Sequence, residues 1–191
     1  MTDVPTIPRV TTSLGLLQQE LAGAVDGLQD DQLAALVTGI QQAGRVFVTG
    51  GGRSGLALQM HAMRLMHLGL TVYVVGETTT PAIARGDLLI VASGSGTTPG
   101  AVAAAGTARD VGARVAALTT DGASDLADLA HVIVVVPAAQ KTDHGGTASR
   151  QYSGSLFEQA LLMVLDAIFH TLWQADGTPA EDLWPRHANL E

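Results

Sequence analysis

Two short segments hold the residues best suited to gripping an anion. Gly50-Gly51-Gly52-Arg53-Ser54-Gly55 follows one β-branched run, and Ser93-Gly94-Ser95-Gly96-Thr97-Thr98 follows another. Glycines let backbone amides approach an anion closely, and a helix starting at such a turn adds unpaired N–H groups and a partial positive charge. The serine and threonine hydroxyls are further donors. The chain has a single lysine, Lys141, so a phosphate needs donors of this kind. Gly52, Arg53 and Ser54, with Ser93, Gly94, Ser95, Gly96, Thr97 and Thr98, are therefore the candidate substrate-binding residues.

A third segment, Gly154-Ser155-Leu156-Phe157-Glu158-Gln159, puts a glutamate at the head of a long apolar run. Moving a carbonyl along a carbon skeleton needs one group that takes a proton from the neighbouring carbon and returns it to the next. A carboxylate partly withdrawn from water, between residues such as Leu156 and Phe157, is a stronger base than one in bulk solvent. Ser155-x-x-Glu158 is equally a capping box, in which the glutamate only satisfies a backbone N–H. The residues by themselves leave both readings open. His61 and His67, on the helix after the first loop, and His170, mid-helix, read as packed or solvated. Asp143 with His144 carries no pattern that marks a catalytic pair. No His/Asp/Glu grouping has metal-ligand spacing, and no metal or cofactor is expected.

Other readings of the loops stand beside this one. Both could be plain tight turns, where glycine and small polar residues are common. Gly50, Gly52 and Gly55 also satisfy the G-x-G-x-x-G dinucleotide fingerprint, with Glu77 placed for a ribose contact. That reading leaves the hydroxyls of the 93–98 segment unexplained, whereas a sugar phosphate accounts for both loops.

The elements that must position these loops show in the hydrophobic rhythm. Residues 11–25 and 30–43 repeat at helical spacing, Leu14, Leu17, Leu21 and Val25 in the first. Strands are expected at 45–49, 71–75, 87–92, 114–119 and 131–136, with helices at 54–68, from 99 to about 111, 123–129 and 153–174. Continuous apolar strands alternating with helices predict a parallel sheet covered on both faces, an α/β three-layer sandwich. In the strand order 2-1-3-4-5 the first and third strands are neighbours, and both loops open on one crevice at their carboxyl ends. No repeat or linker divides the chain, so residues 1–191 read as a single domain, with N-terminal helices within 1–44 and a C-terminal tail at 178–191.

Composition bounds the function. Apolar residues make up 47% of the 191 and charged ones 15%, a folded protein with surface to spare for another subunit. A net charge of −8 argues against nucleic acid and anionic membranes. There are no cysteines, which removes thiolate chemistry. Residues 1–10 lack the apolar stretch of a signal peptide, and the run 156–173 is interrupted by Glu158, Gln159, Asp166 and His170. A cytoplasmic location is expected.

Taken in order, Gly52-Arg-Ser-Gly55, Ala62-Met-Arg-Leu-Met-His-Leu-Gly69, Val75-Gly-Glu-Thr78 with Thr80-Pro81, Ser93-Gly-Ser-Gly96, Gly154-Ser-Leu-Phe-Glu-Gln159 and Arg186-His-Ala-Asn-Leu-Glu191 resemble the 6-phospho-3-hexuloisomerases. These are SIS-domain (sugar isomerase) enzymes of the ribulose monophosphate pathway of formaldehyde fixation. The resemblance runs from about Arg45 to the end. It implies a five-stranded parallel SIS fold and a homo-oligomer, usually a tetramer. It also implies conversion of D-arabino-3-hexulose 6-phosphate to D-fructose 6-phosphate, coupled to 3-hexulose-6-phosphate synthase. By motif, Ser54 and the 93–98 loop bind substrate and Glu158 accepts the proton. Thr97 stands where many members have glutamate, Gly51 replaces an alanine, and Gln151-Tyr-Ser-Gly154 replaces Gln-Pro-Met-Gly. His187, in the polar tail, is a candidate proton shuttle in a neighbouring subunit's pocket, against the alternative that the tail only ties subunits together. A non-catalytic sugar-phosphate sensor built on the same module would need a DNA-binding segment. Residues 1–44 offer no basic recognition helix, with Arg9 and Arg45 the positive side chains at its edges.

Overall fold

A computed structural model describes residues 9–141, 143 and 149–190. Five strands form one parallel sheet in the order β2-β1-β3-β4-β5. They are β1 (Val46–Gly50), β2 (Val72–Val74), β3 (Leu88–Ala92), β4 (Arg114–Thr119) and β5 (Val132–Val135). The helices are α1 (Val10–Asp26), α2 (Asp30–Gln42), α3 (Gly52–His67), α4 (Pro99–Asp110), α5 (Asp125–Leu129), α6 (Ser155–Asp176) and α7 (Ala180–Leu183), the last followed by a 3-10 turn, Trp184–Arg186. The tail at 178–191 thus contains helix where no element was expected. Its apolar anchor is Leu183, which is buried.

Alternation along the strands divides the core in two. Val46, Val48, Leu88, Ile90, Ala116 and Leu118 face one layer, which they share with Leu58 and Leu65 of α3 and Leu161 and Leu165 of α6. Phe47, Leu89, Val91, Val115 and Ala117 face the other, against Ala101, Ala105 and Ala108 of α4. Small alanines let α4 lie close on the sheet, which is why its side needs few large residues. α6 is long and apolar enough to cross a membrane by length and composition. Here it is a core helix instead, with Leu156, Phe157, Leu161, Leu165 and Ile168 buried against α1, α2 and α3.

The sheet margins are managed by side chains. Gln32 of α2 accepts the Val135 N–H at 2.9 Å, covering the backbone of edge strand β5. Arg45, just before β1, donates to both carboxylate oxygens of buried Asp87 (2.9 and 2.5 Å), and Asp87 also accepts from the Ala84 N–H. That cluster ties the amino ends of β1 and β3 to the long β2–β3 connection.

Candidate active site

Register decides where the two loops open. Gly50, the last residue of β1, is paired with Ala92, the last of β3, so the next residues of both chains leave the sheet side by side. Gly51 faces the Thr98 methyl across the gap. Gly55 packs so tightly on the turn that a Cβ there would run into the Gly50 carbonyl oxygen, a close approach only glycine permits. No side chain caps the N-termini of α3, α4 or α6, whereas α5 is capped by its own Ser124. The amides at those three helix starts are left to other partners.

The 93–98 loop is anchored from beneath. The Gly94 carbonyl accepts from the Thr120 N–H at 3.0 Å, the Thr120 hydroxyl at 2.7 Å and the Thr119 hydroxyl at 3.2 Å, and the Gly96 carbonyl accepts from the Leu126 N–H. Ser93 is buried, its hydroxyl 2.8 Å from that of Thr98. Ser95 accepts from the Thr97 N–H and hydroxyl. Ser54 is buried too, while Gly52, Arg53, Thr97 and Thr98 are exposed at the crevice. Thr119, Thr120 and Ser124 had no place in the sequence reading. Their signal was position: Thr119 ends β4, the next strand along, and Thr120 and Ser124 follow it, at a carboxyl end that lies on the same rim.

α6 brings the carboxylate. Gly154 occupies the cap position, Ser155 is the first helical residue, and its N–H goes to the Tyr152 carbonyl. The capping box therefore does not form. Glu158, 8% exposed, turns to the β1–α3 loop and meets Arg53, with Nε 3.0 Å from Oε2. Arg53 is largely exposed, so the pair contributes little to stability, and its importance is geometric. Phe157 packs under Gly94, so one turn of α6 touches both loops.

The histidines separate. His61 is wholly buried at the α3–α6 seam, and neither ring nitrogen makes a well-formed hydrogen bond. Burial pushes its imidazole down to about 4, with slight relief from the Leu165 backbone. His187 lies stacked on His67 (ring centroids 4.0 Å) and beside Trp184 (4.6 Å). Arg186 donates to the His67 carbonyl at 2.6 Å, closing the C-terminus of α3. His67 is 14 residues beyond Arg53 on that helix, about 21 Å at 1.5 Å per residue. Within one protomer His187 and Glu158 therefore stand at opposite ends. His144 lies outside the described residues. Among those described, no three His, Asp or Glu converge as a metal site.

The sheet order, the paired loops and the carboxylate together restrict what this fold is. The SIS domain profile matches residues 39–163. A 3-hexulose-6-phosphate isomerase of Mycobacterium gastri is 58% identical over 182 residues, covering 95% of this chain and 92% of that protein. This chain is a member of the 3-hexulose-6-phosphate isomerase family. A second such isomerase, from Bacillus subtilis, is 36% identical over 96% of this chain and all of its own length. A crystal structure from Methanococcus jannaschii, from which the same molecular function was inferred, superposes with a TM-score of 0.81 at 28% identity, covering 94% of this chain and 99% of that one. The expected SIS fold, with its 2-1-3-4-5 order, is the one found, and the dinucleotide-oxidoreductase and sensor readings give way to an isomerase.

Proposed function

We propose that this protein converts D-arabino-3-hexulose 6-phosphate to D-fructose 6-phosphate through an enediol, with Glu158 as the base. The observation that carries the reading is the meeting of buried Glu158 with Arg53 at 3.0 Å, where two hydroxyl- and amide-rich loops open side by side. The phosphate is held by the loop amides and the hydroxyls of Thr97 and Thr98, with Ser54, Ser93 and Ser95 behind them. With O6 phosphorylated and the carbonyl at C3, no five- or six-membered ring can close, so the substrate is open-chain and needs no ring-opening acid. Glu158 takes the C2 proton, and charge moves onto O3, where Arg53 and the helix-terminal amides stabilise it. The proton returns to C3 while O2 gives up its proton and O3 gains one, leaving the ketone at C2.

A homo-oligomer, a tetramer by the family pattern, belongs to the same proposal. Its support is an exposed apolar stripe on α3: Leu56, Met60, Met63 and Met66 at 58, 48, 46 and 40% exposure, beside Val75 after the edge strand β2. Any part that His187 plays in moving the oxygen protons is in a neighbouring protomer's crevice, since its own is a helix length away. Substrate supplied by 3-hexulose-6-phosphate synthase and a cytoplasmic location complete the reading.

The test is turnover of 3-hexulose 6-phosphate, generated in situ from formaldehyde and ribulose 5-phosphate by that synthase, without added metal or cofactor. Fructose 6-phosphate is the expected product, and Glu158→Gln should lower kcat about a hundredfold or more, the scale of general-base catalysis. A variant with full turnover would remove Glu158 from the chemistry.

A further inference from the structure

The inward stripe of α1 contains an ion. Leu17, Glu20, Leu21 and Ala24 turn towards the body of the protein, and Glu20 sits among them, only partly exposed. A carboxylate on an inward face is a local conflict that needs specific partners. Glu20 has three, all in the turn leading into α6. Its Oε2 accepts from the Ser149 hydroxyl at 2.6 Å and from the Gln151 side-chain amide at 3.1 Å, and its Oε1 accepts from the Arg150 N–H at 2.9 Å. Ser149 is buried and in turn accepts from the Gln151 N–H at 3.0 Å. Burial works against the carboxylate, but the Ser149, Arg150 and Gln151 hydrogen bonds outweigh it and hold Glu20 below the usual range.

Four residues after this clamp α6 begins, and Glu158 lies in its first turn. α1 also packs along α6, so the helix and the turn that starts it are held by one element. We propose that Glu20 is a positioning residue: it fixes the 149–151 turn, and through it the first turn of α6, so that the Glu158 carboxylate keeps its place opposite Arg53. This rests on the isomerase reading above. Charge-assisted hydrogen bonds to a buried hydroxyl and a backbone amide resist displacement, and a shift of about 1 Å in a catalytic group can cost about a hundredfold in rate.

The experiment compares Glu20→Ala and Glu20→Gln with Leu21→Ala, a neighbouring change that loosens α1 without touching the turn. Each is assayed for isomerisation and for tryptic cleavage after Arg150. Glu20→Ala should lower kcat about tenfold to a hundredfold with KM within about threefold, and cleavage after Arg150 should speed up. Glu20→Gln, keeping one acceptor oxygen, should recover part of both, and Leu21→Ala should lower thermal stability while keeping kcat. Unchanged kcat and cleavage in Glu20→Ala, or an equal loss of kcat in Leu21→Ala, would overturn the proposal. Absence of isomerisation by the unmodified protein would instead sink the catalytic reading, and the cleavage rates would still decide whether Glu20 holds the turn.

Discussion

At 8% exposure Glu158 has given up most of its water without gaining a capping bond, and it is paired with the exposed guanidinium of Arg53, which solvent or substrate can draw away. That suits the role proposed for it, a base held firmly yet released to act. His61, two turns along α3 from Ser54, is the opposite case: a polar group buried with nothing to do. Its folded-state value of about 4 lies below the unfolded 6.5. Between those values the unfolded chain binds the extra proton, so stability falls as pH falls through 6.5 towards 4, by roughly 3 kcal/mol at the limit. His61→Phe should remove this loss. Thermal midpoints at pH 7.5 and pH 5 should converge in the variant, and an unaltered gap between them would show that other groups govern the acid limb.

Among the elements, the turn between β3 and α4 is the least forgiving. Gly96 has φ +67, and a Cβ there would collide with the hydroxyl of Ser124, the residue that caps α5. Gly96→Ala combines backbone strain with displacement of that cap, a cost of about 2 kcal/mol or more. Denaturant unfolding should show this loss, and turnover should fall with it, because the Gly94 and Gly96 carbonyls anchor the loop on β4 and α5. Stability within 0.5 kcal/mol of the parent, about the spread of a neutral surface change, would mean that the turn relaxes around the methyl.

For the whole molecule, the part proposed for His187 is tested through the tail. Ending the chain after Trp184 removes the Arg186 bond to the His67 carbonyl and the stacked imidazole. The thermal midpoint should drop by a few degrees, as expected for about 1 kcal/mol in a chain of this size, and turnover should fall while light scattering reports the same state of assembly as for the full chain. An unchanged state of assembly with undiminished turnover would take His187 out of the proposed mechanism.

How far the sequence reached follows from the range of each force. Strand periodicity, glycine turns and helix rhythm are local, so 45–49 and 87–92 were legible as strands within a residue of the observed bounds, whereas their lying side by side came from the strand order expected of the fold type. The motifs carried the family and singled out Glu158 as the candidate base. Only folding could decide whether Glu158 closes a cap or faces the loops, because Ser155 N–H is claimed by Tyr152 and the carboxylate by Arg53, a residue 105 positions earlier. The same holds for Thr119 and Thr120 beneath the loop and for Glu20 across 129 residues from Ser149. Hydrogen bonds between distant segments leave no periodic trace in a chain, since any polar side chain can make them and only the packed backbone selects which one does.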